Sequence, residues 1–366
     1  MTSDTHHTRA TASRLSGDLS GNMAGDLWGG LAAMLVALPS AIAFGVTIFS
    51  PLGAEFGAKG ALAGMLGVTA LGMVAAMFGG TQRLISAPCA PAAAVLSALT
   101  IQMSQQGIDV GAVVVSLFLV AVASALVQVM FGLLRLGELI KFMPFPVVSG
   151  YLSGVGLIII LSQVPKWLAW PKDLKVWQGL MSPELWQWPS VCVGLATAGV
   201  MLVAPRISRR VPAVILGLLG GVAMYWLMAL LWKPELQSLH HNPFIIGPLS
   251  VAGEGFFESL AGPWQSLVGM HWPHWEVIVY PALTLAVLLS IDTLKTCVVL
   301  DALTGSRHDS NKELIGQGLG NLASALIGGA PGAGTMGATL VNRASGGTTW
   351  RSGCFRGCGR CWPFCC

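Results

Sequence analysis

Long apolar runs recur along this chain and restrict it to a membrane fold built from helices. Each run is about 20 residues long, the length that an α-helix needs to cross the hydrocarbon core of a bilayer. Inside that core every backbone N–H and C=O must find a partner within the protein, so spanning segments are helices or closed barrels. Hydrophobic residues make up 54% of the chain and charged residues only 10%, which is far from the composition of a soluble domain. The sequence therefore predicts an all-α polytopic membrane protein.

The apolar runs divide the chain into a series of predicted spans. They cover residues 27–50, 60–78, 86–103, 110–134, 142–163, 189–204, 211–232, 276–300, 314–329 and 335–345. The third and tenth spans are too short to cross as helix alone, so we expect extended backbone that leads into a half-helix. Residues 233–275 are predicted to form a long external loop.

The N-terminal segment and the basic residues predict the orientation. Residues 1–25 are polar and lack the apolar core of a signal peptide, so we interpret them as a cytoplasmic tail. With the N-terminus inside, the cytoplasmic segments hold more Lys and Arg than the external loops, as expected for membrane proteins. We therefore predict a multi-pass protein of the inner (plasma) membrane, surrounded by lipid. The net charge of +4 does not indicate a nucleic-acid partner, because the basic residues are scattered between spans.

Two of the apolar segments are interrupted in the same way. Ala87-Pro88-Cys89-Ala90 and Ala330-Pro331-Gly332-Ala333 each follow a Gly-Gly pair and place a proline where a helix should begin. Interrupted spans at corresponding places in two halves of a membrane protein indicate a transport site, because half-helix N-termini expose N–H groups and positive dipole ends. We expect the amides of Gly334, Thr335 and Met336 to suit an anion. The alternative is that the Gly/Ala-rich sequence only permits close helix packing.

Asp292 is the ionisable residue with the clearest functional indication. It lies deep in the eighth apolar span, where a carboxylate is costly unless it is paired or hydrated. Thr296 lies one helical turn further, on the same face. Carboxylate, hydroxyl and backbone carbonyls opposite would form an oxygen cage for Na⁺ or a proton-binding site. The alternative is a salt bridge with Lys295 at i+3.

The other chemically active residue types do not assemble into a recognisable catalytic set. His271 and His274 are spaced to hold a metal, but no further ligand converges with them in the predicted loop. The glycine run 316–320 lacks the preceding strand of a nucleotide loop and is interpreted as helix packing. We predict no enzyme, no cofactor, and no metal ion apart from Na⁺ at Asp292 and Thr296.

The last residues of the chain are unusually rich in cysteine. Cys354, Cys358, Cys361, Cys365 and Cys366 have no histidine partner for a closed zinc site. Leucine codons read one base out of register yield Cys or Trp. We therefore expect 351–366 to be an out-of-frame tail that begins near 349–353, and the natural coding region to continue further.

The motifs around the interrupted segments resemble those of the SulP family of anion transporters, over about residues 25–350. In the second half they are Asn311-Lys-Glu-Leu-Ile-Gly-Gln-Gly-Leu-Gly-Asn321, Gly328-Gly-Ala-Pro-Gly-Ala-Gly-Thr335, Val341-Asn342 and Ser345-Gly-Gly-Thr-Thr349. In the first half they are Gly25-Asp26-Leu27, Ala37-Leu-Pro39, Ala43-Phe44, Gly79-Gly-Thr-Gln-Arg83 and Ala87-Pro88.

This resemblance implies a 7+7 inverted-repeat transporter fold, in which a core of spans 1–4 and 8–11 moves against a gate of spans 5–7 and 12–14. It implies a transport domain over 26–350, with a first repeat over about 26–232 and an incomplete second repeat over 276–350. The family usually adds a cytoplasmic STAS domain and often forms homodimers. Because the chain stops near its tenth span, without the second gate or STAS, we expect this form not to transport.

The resemblance also implies site residues. In a bacterial branch that co-transports Na⁺ with bicarbonate, the cation site maps to Asp292 and Thr296, with Gly334 and Thr335 opposite. Phe44 and Ala90 are implied as substrate walls.

Pro88, Cys89 and Met336 complete the implied anion site. The arginine that many relatives carry in the tenth span maps to Ala338, so no fixed cation is expected there. The implied function is secondary active transport of sulfate or bicarbonate, coupled to Na⁺ or H⁺ by an elevator movement. The alternatives are a nucleobase/cation symporter of the same fold and a non-transporting membrane protein.

Overall fold

A computed structural model defines the fold of the protein. It describes residues 23–53, 56–142, 164–165, 167–170, 176–207, 213–231, 237 and 275–357. The chain divides into two compact units, the first comprising 1–142 and 251–366 and the second 143–250. The first unit contains predicted spans 1–4 and 8–10. The fifth span beyond Phe142 and the loop histidines lie outside the described residues.

Within its described residues, the first unit consists of helices and two very short strands. Its elements are α1 (Met23–Phe49), α2 (Phe56–Phe78), β1 (Ser86–Pro88), α3 (Ala90–Gln105), α4 (Val110–Leu133), α8 (Trp275–Thr304), α9 (Ser310–Leu326), β2 (Gly332–Gly334), α10 (Met336–Ala344) and α11 (Arg351–Gly357). The second unit contains α5 (Val176–Leu180), α6 (Trp188–Ile207) and α7 (Ala213–Leu231). Short 3₁₀ turns cover Ser50–Leu52, Leu136–Phe142 and Pro183–Leu185.

Several helices have the length and composition of membrane spans. Among the described residues, five meet both criteria: Met23–Leu52, Phe56–Phe78, Val110–Leu133, Trp188–Arg206 and Glu276–Thr304. The shorter apolar helix Ile215–Leu231 accompanies them. The prediction of an all-α, multi-pass membrane fold is confirmed.

Helix ends differ from the predicted span ends where polar caps extend a helix beyond the apolar run. Hydropathy predicts the ninth span from residue 314, but α9 begins at Ser310 because the Asp309 carboxylate accepts hydrogen bonds from the Asn311 and Lys312 amides, both at 3.1 Å. Similarly, α8 continues to Thr304 rather than ending at Leu300. Hydropathy marks the part of a helix that lies in lipid, whereas capping groups decide where it starts and stops.

Small residues bring the helices of the first unit into backbone contact. A Cβ at Gly45 of α1 would overlap the Gly60 carbonyl oxygen of α2. In α9, a Cβ at Gly316 would lie 2.5 Å from the Gly79 amide nitrogen, and one at Gly318 would lie 2.9 Å from the Ala125 carbonyl oxygen. The interpretation of the glycine run 316–320 as helix packing is confirmed, because it lets α9 approach α2 and α4.

Asp26 connects the start of α1 to the segment that follows α10. Its side chain is 1% exposed and accepts hydrogen bonds from the Thr348 amide at 2.7 Å and the Thr349 amide at 3.0 Å. The Thr349 hydroxyl also donates to it. Two family motifs that lie far apart in sequence therefore meet at one carboxylate.

We expect Asp26→Asn to destabilise this junction moderately. The amide keeps one acceptor oxygen but loses the charge that strengthens the hydrogen bonds from Thr348 and Thr349, so the free energy of unfolding should fall by about 1–2 kcal/mol. Thermal unfolding of the detergent-purified protein measures this. Asp109→Asn is a matched control, because Asp109 is an exposed cap of α4 whose side chain accepts from the Gly111 amide. An Asp26→Asn melting temperature equal to that of Asp109→Asn would contradict the prediction.

Candidate functional site

The two interrupted segments pair with each other. β1 and β2 run antiparallel, with Ser86 opposite Gly334, Ala87 opposite Ala333 and Pro88 opposite Gly332. α3 starts two residues after β1 and α10 two residues after β2, so both half-helices begin at this crossing. The prediction that extended backbone leads into half-helices is confirmed at both places.

Two of the amides expected to face an anion are used within the protein. The Gly334 amide donates to the Thr293 hydroxyl at 3.0 Å, and the Thr335 amide donates to the Ile85 carbonyl oxygen at 2.8 Å. These two N–H groups therefore hold the crossing together, which corrects their predicted role as anion donors. The reason is that extended backbone beside other strands and helices finds protein partners before a ligand can reach it.

The backbone amides of the first turn of α10 follow these two positions in the chain. Met336 and Gly337 open the helix, where backbone N–H groups have no intrahelical acceptor. Gly337 is exposed, and a Cβ placed on it would meet nothing within 4 Å. On α3, Ala90 is likewise exposed at the first helical position. The crossing thus has open space at the start of each half-helix.

Asp292 and Thr296 lie on α8, against the second interrupted segment. The Thr296 side chain is 2% exposed, and its hydroxyl lies 2.9 Å from the Gly334 carbonyl oxygen and 3.0 Å from the Asp292 carbonyl oxygen. Two backbone carbonyls and a hydroxyl therefore cluster at Thr296, one helical turn from Asp292. Oxygen clusters of this kind are the ligands that hard cations bind in proteins.

Asp292 also interacts with charged and polar groups outside this cluster. Its Oδ1 lies 3.7 Å from the Lys295 Nζ, so the alternative salt bridge is present. The helix that carries Asp292 also packs against the start of α3, since Leu285 and Leu289 lie in one apolar cluster with Cys89. The structure therefore places α8 against both half-helix N-termini.

The remaining predicted site residues line the first half-helix and its surroundings. Phe44 is half-buried and packs against the apolar cluster that contains Cys89. Pro88 is buried in β1, whereas Met336 and Thr335 are half-buried. Ala338 is 3% exposed and packs among small apolar residues of α1, such as Ala33 and Ala37. It supplies no charge to the crossing.

Sequence reasoning missed a row of polar side chains on α9 that fixes the crossing. The Asn321 side chain donates to the Gly332 carbonyl oxygen at 2.9 Å and accepts from the Gly332 amide at 2.8 Å. Gln317 donates to the Ser86 hydroxyl, and the Ser324 hydroxyl donates to the Ala330 carbonyl oxygen at 2.9 Å. Their spacing of three to four residues within an apolar helix was the available signal, since it places them on one face.

Together these features define a class of protein. Helices cross a membrane, two interrupted spans meet with their half-helix N-termini together, and a third helix that carries an acidic residue packs against them. This arrangement is typical of secondary transporters. The sequence pattern of the sulfate permease family matches residues 23–359, and the chain belongs to that family. The nucleobase symporter alternative is therefore wrong.

Curated relatives agree with this assignment. The bicarbonate transporter BicA of Picosynechococcus sp. is 35% identical over 325 residues, which cover 87% of this chain and 53% of the relative. The putative sulfate transporter YvdB of Bacillus subtilis is 26% identical over 305 residues, covering 80% of this chain and 52% of the relative. The chain spans about half the length of the curated relatives it matches. The family and these relatives are transporters and not enzymes, in agreement with the prediction.

Solved structures share the fold. The transmembrane domain of a cyanobacterium bicarbonate transporter BicA aligns with a TM-score of 0.61 and 32% identity, covering 92% of this chain and 80% of that one. The murine Solute Carrier 26 family member A9 anion transporter aligns with a TM-score of 0.59 and 16% identity, covering 91% of this chain and 55% of that one. The second likeness concerns the fold alone.

The short helix α11 lies at the start of the cysteine-rich tail. Ser352 is buried, and its hydroxyl accepts a hydrogen bond from the Asn342 side chain at 2.9 Å. The expected change of reading frame stays a prediction, and residues 358–366 lie outside the described part of the chain.

Proposed function

We propose that this protein is a secondary transporter of a small inorganic oxyanion, bicarbonate or sulfate, coupled to Na⁺ or H⁺. The observation that carries the proposal is the meeting of the two half-helix N-termini beside Asp292 and Thr296. Positive dipole ends attract the anion, and a carboxylate with neighbouring oxygens attracts the cation. The bicarbonate and sulfate transporters among the relatives support the same substrate class.

Electrostatics couples the two ions. A negative Asp292 beside the crossing repels an anion and is itself costly at membrane depth. Binding of Na⁺ at Asp292, Thr296 and the Gly334 carbonyl, or of a proton at Asp292, removes that repulsion. The first-turn amides at Ala90 on α3 and at Met336 and Gly337 on α10 then receive the oxyanion. No bond in the anion is made or broken.

An elevator movement would carry this site across the membrane. Asp292, Thr296, Cys89 and Gly334 all lie in one compact unit, so the ions would travel with that unit as a body. The other unit contains α6 and α7. In this proposal the first unit is the moving core, and the second belongs to the gate.

Uptake measurements on Asp292→Asn test the proposal. Asparagine keeps the size of the side chain but cannot balance a cation, so Na⁺-driven or H⁺-driven uptake should fall at least about 100-fold, or about 2.7 kcal/mol. Labelled bicarbonate and sulfate are supplied to vesicles that contain the full-length protein, with and without a Na⁺ gradient or a pH gradient. The substrate and the gradient that stimulate the wild type identify the anion and the coupling ion.

Glu276→Gln is the matched control, since Glu276 is an exposed acid in the first turn of the same helix. It should transport as the wild type does. Coupled uptake that survives Asp292→Asn unchanged would remove the cation site from Asp292. Failure of the wild type to take up either anion under any gradient would contradict the transport proposal as a whole.

A further inference from the structure

A lysine and an acid form an ion pair beside the half-helix crossing. The Lys295 Nζ lies 3.7 Å from the Asp292 Oδ1, one turn along α8. The side chains are 22% and 24% exposed respectively, so each charge is partly withdrawn from solvent but not sealed in. A pair in this condition is stable enough to form and weak enough to be displaced by a competing ion.

The position of this pair links it to both expected ions. Thr296, one residue further along α8, lies 2.9 Å from the Gly334 carbonyl oxygen, so the backbone that carries Lys295 packs against the second interrupted segment. The same helix packs against the start of α3, since Leu285 and Leu289 lie in one apolar cluster with Cys89. The lysine side chain is long and flexible, and its ammonium can move several ångströms while its backbone stays fixed.

The described positions on the second half-helix do not bring a positive side chain to the crossing. Ala338 packs in an apolar cluster. Arg343 lies in the last turn of α10, where it donates to the Leu303 carbonyl oxygen at 2.8 Å. On α8, by contrast, Lys295 carries a positive charge and pairs with Asp292.

We propose that Lys295 is a tethered counter-ion that couples cation binding to anion binding. This inference rests on the proposed function of the site. With the site empty, the ammonium neutralises the Asp292 carboxylate and competes with Na⁺ for it. When Na⁺ binds to Asp292, the ammonium is released, and the site carries one surplus positive charge that attracts a monovalent oxyanion. Each ion therefore raises the affinity for the other, as linkage requires.

Equilibrium binding of radioactive Na⁺ to the purified 366-residue chain tests this, with and without bicarbonate. For the wild type, bicarbonate should tighten Na⁺ binding about fivefold or more. Lys295→Met removes the competitor, so Na⁺ should bind about tenfold more tightly without bicarbonate, and added bicarbonate should tighten it clearly less than in the wild type, because the site no longer gains a surplus positive charge. Lys295→Gln should behave like Lys295→Met, and Lys295→Arg should behave like the wild type.

Lys312→Met is the matched control, because Lys312 is exposed on α9, and it should bind Na⁺ as the wild type does. Melting temperatures report whether each variant is folded. If Lys295→Met does not fold, Lys295→Gln tests the same expectation. Unchanged Na⁺ affinity with preserved bicarbonate enhancement in either neutral variant overturns the role of Lys295 but leaves the cation site intact. Absence of saturable Na⁺ binding in the wild type overturns both the Na⁺ site and this inference.

Discussion

Replacing Gly332 with alanine is expected to destroy the crossing of the two half-helices. A Cβ at this position would overlap the Ala87 carbonyl oxygen of the opposing strand and lie 2.6 Å from the Pro88 nitrogen. These are backbone atoms, so they cannot turn aside as a side chain can. The strands must separate, with a cost of about 4 kcal/mol or more in the free energy of unfolding.

A second glycine of the same region provides the control for this prediction. Gly337, in the first turn of α10, lies on an exposed surface, and a Cβ added to it would have no neighbour within 4 Å. Gly337→Ala should melt at the same temperature as the wild type or slightly higher, since alanine favours the helix. Thermal unfolding in detergent measures both variants. A Gly332→Ala protein that melts within about 2 °C of Gly337→Ala would show that the strands do not approach as closely as described.

Asn321→Leu is expected to cause the second largest loss in the free energy of unfolding. Leucine is close to asparagine in size, but it leaves the buried N–H and C=O of Gly332 without the partners that Asn321 supplies at 2.8 and 2.9 Å. It also removes the donor to the Gln128 Oε1, at 2.7 Å. Since each buried polar group without a partner costs about 1–3 kcal/mol, we expect a total of about 3–5 kcal/mol.

A double variant separates the contributions of Asn321. Gln128→Leu removes the buried side-chain amide that Asn321→Leu leaves without its donor, so the combined variant should be more stable than the sum of the two single effects predicts. The destabilisation that the double variant does not recover is the contribution of the Gly332 N–H and C=O groups. Strict additivity, measured by thermal or chemical unfolding, would contradict a direct coupling between Asn321 and Gln128.

The positions of the half-helices could be predicted from the sequence, but their hydrogen bonds could not. Pro88 and Pro331 each interrupt an apolar run that is otherwise helical, and this is a local effect that composition and spacing reveal. That the Gly334 amide bonds to Thr293 depends on how α8 packs against β2, and no local pattern contains this information. Sequence reasoning therefore predicts an amide available to an anion, although the structure shows it occupied.

For Asp292 on α8, too, the sequence predicted the position of the residue but not all of its contacts. Helical periodicity was sufficient to put Asp292 and Thr296 on one face, and equally sufficient to put Lys295 within reach of Asp292. The sequence left the cation site and the salt bridge as alternatives. In the structure the salt bridge stands beside the oxygen cluster, and this coexistence is what leads to a role for the lysine in coupling.

Asp26 illustrates a contact that lies wholly beyond sequence reasoning. Its carboxylate binds the amides of Thr348 and Thr349, more than three hundred residues away along the chain. The two motifs could be found in the sequence, because they carry the family resemblance. The sequence did not show that they contact each other.

By itself, the sequence determined the membrane-spanning helices, their two interruptions and the acid within an apolar span, because unpaired backbone groups and charges are so costly in lipid that their positions can be recognised locally. The tertiary structure alone decided which strand faces which, which amides are used at the crossing and which carbonyls contact the Thr296 hydroxyl. Those outcomes arise from competition among partners that are distant in sequence and become neighbours only when the helices pack.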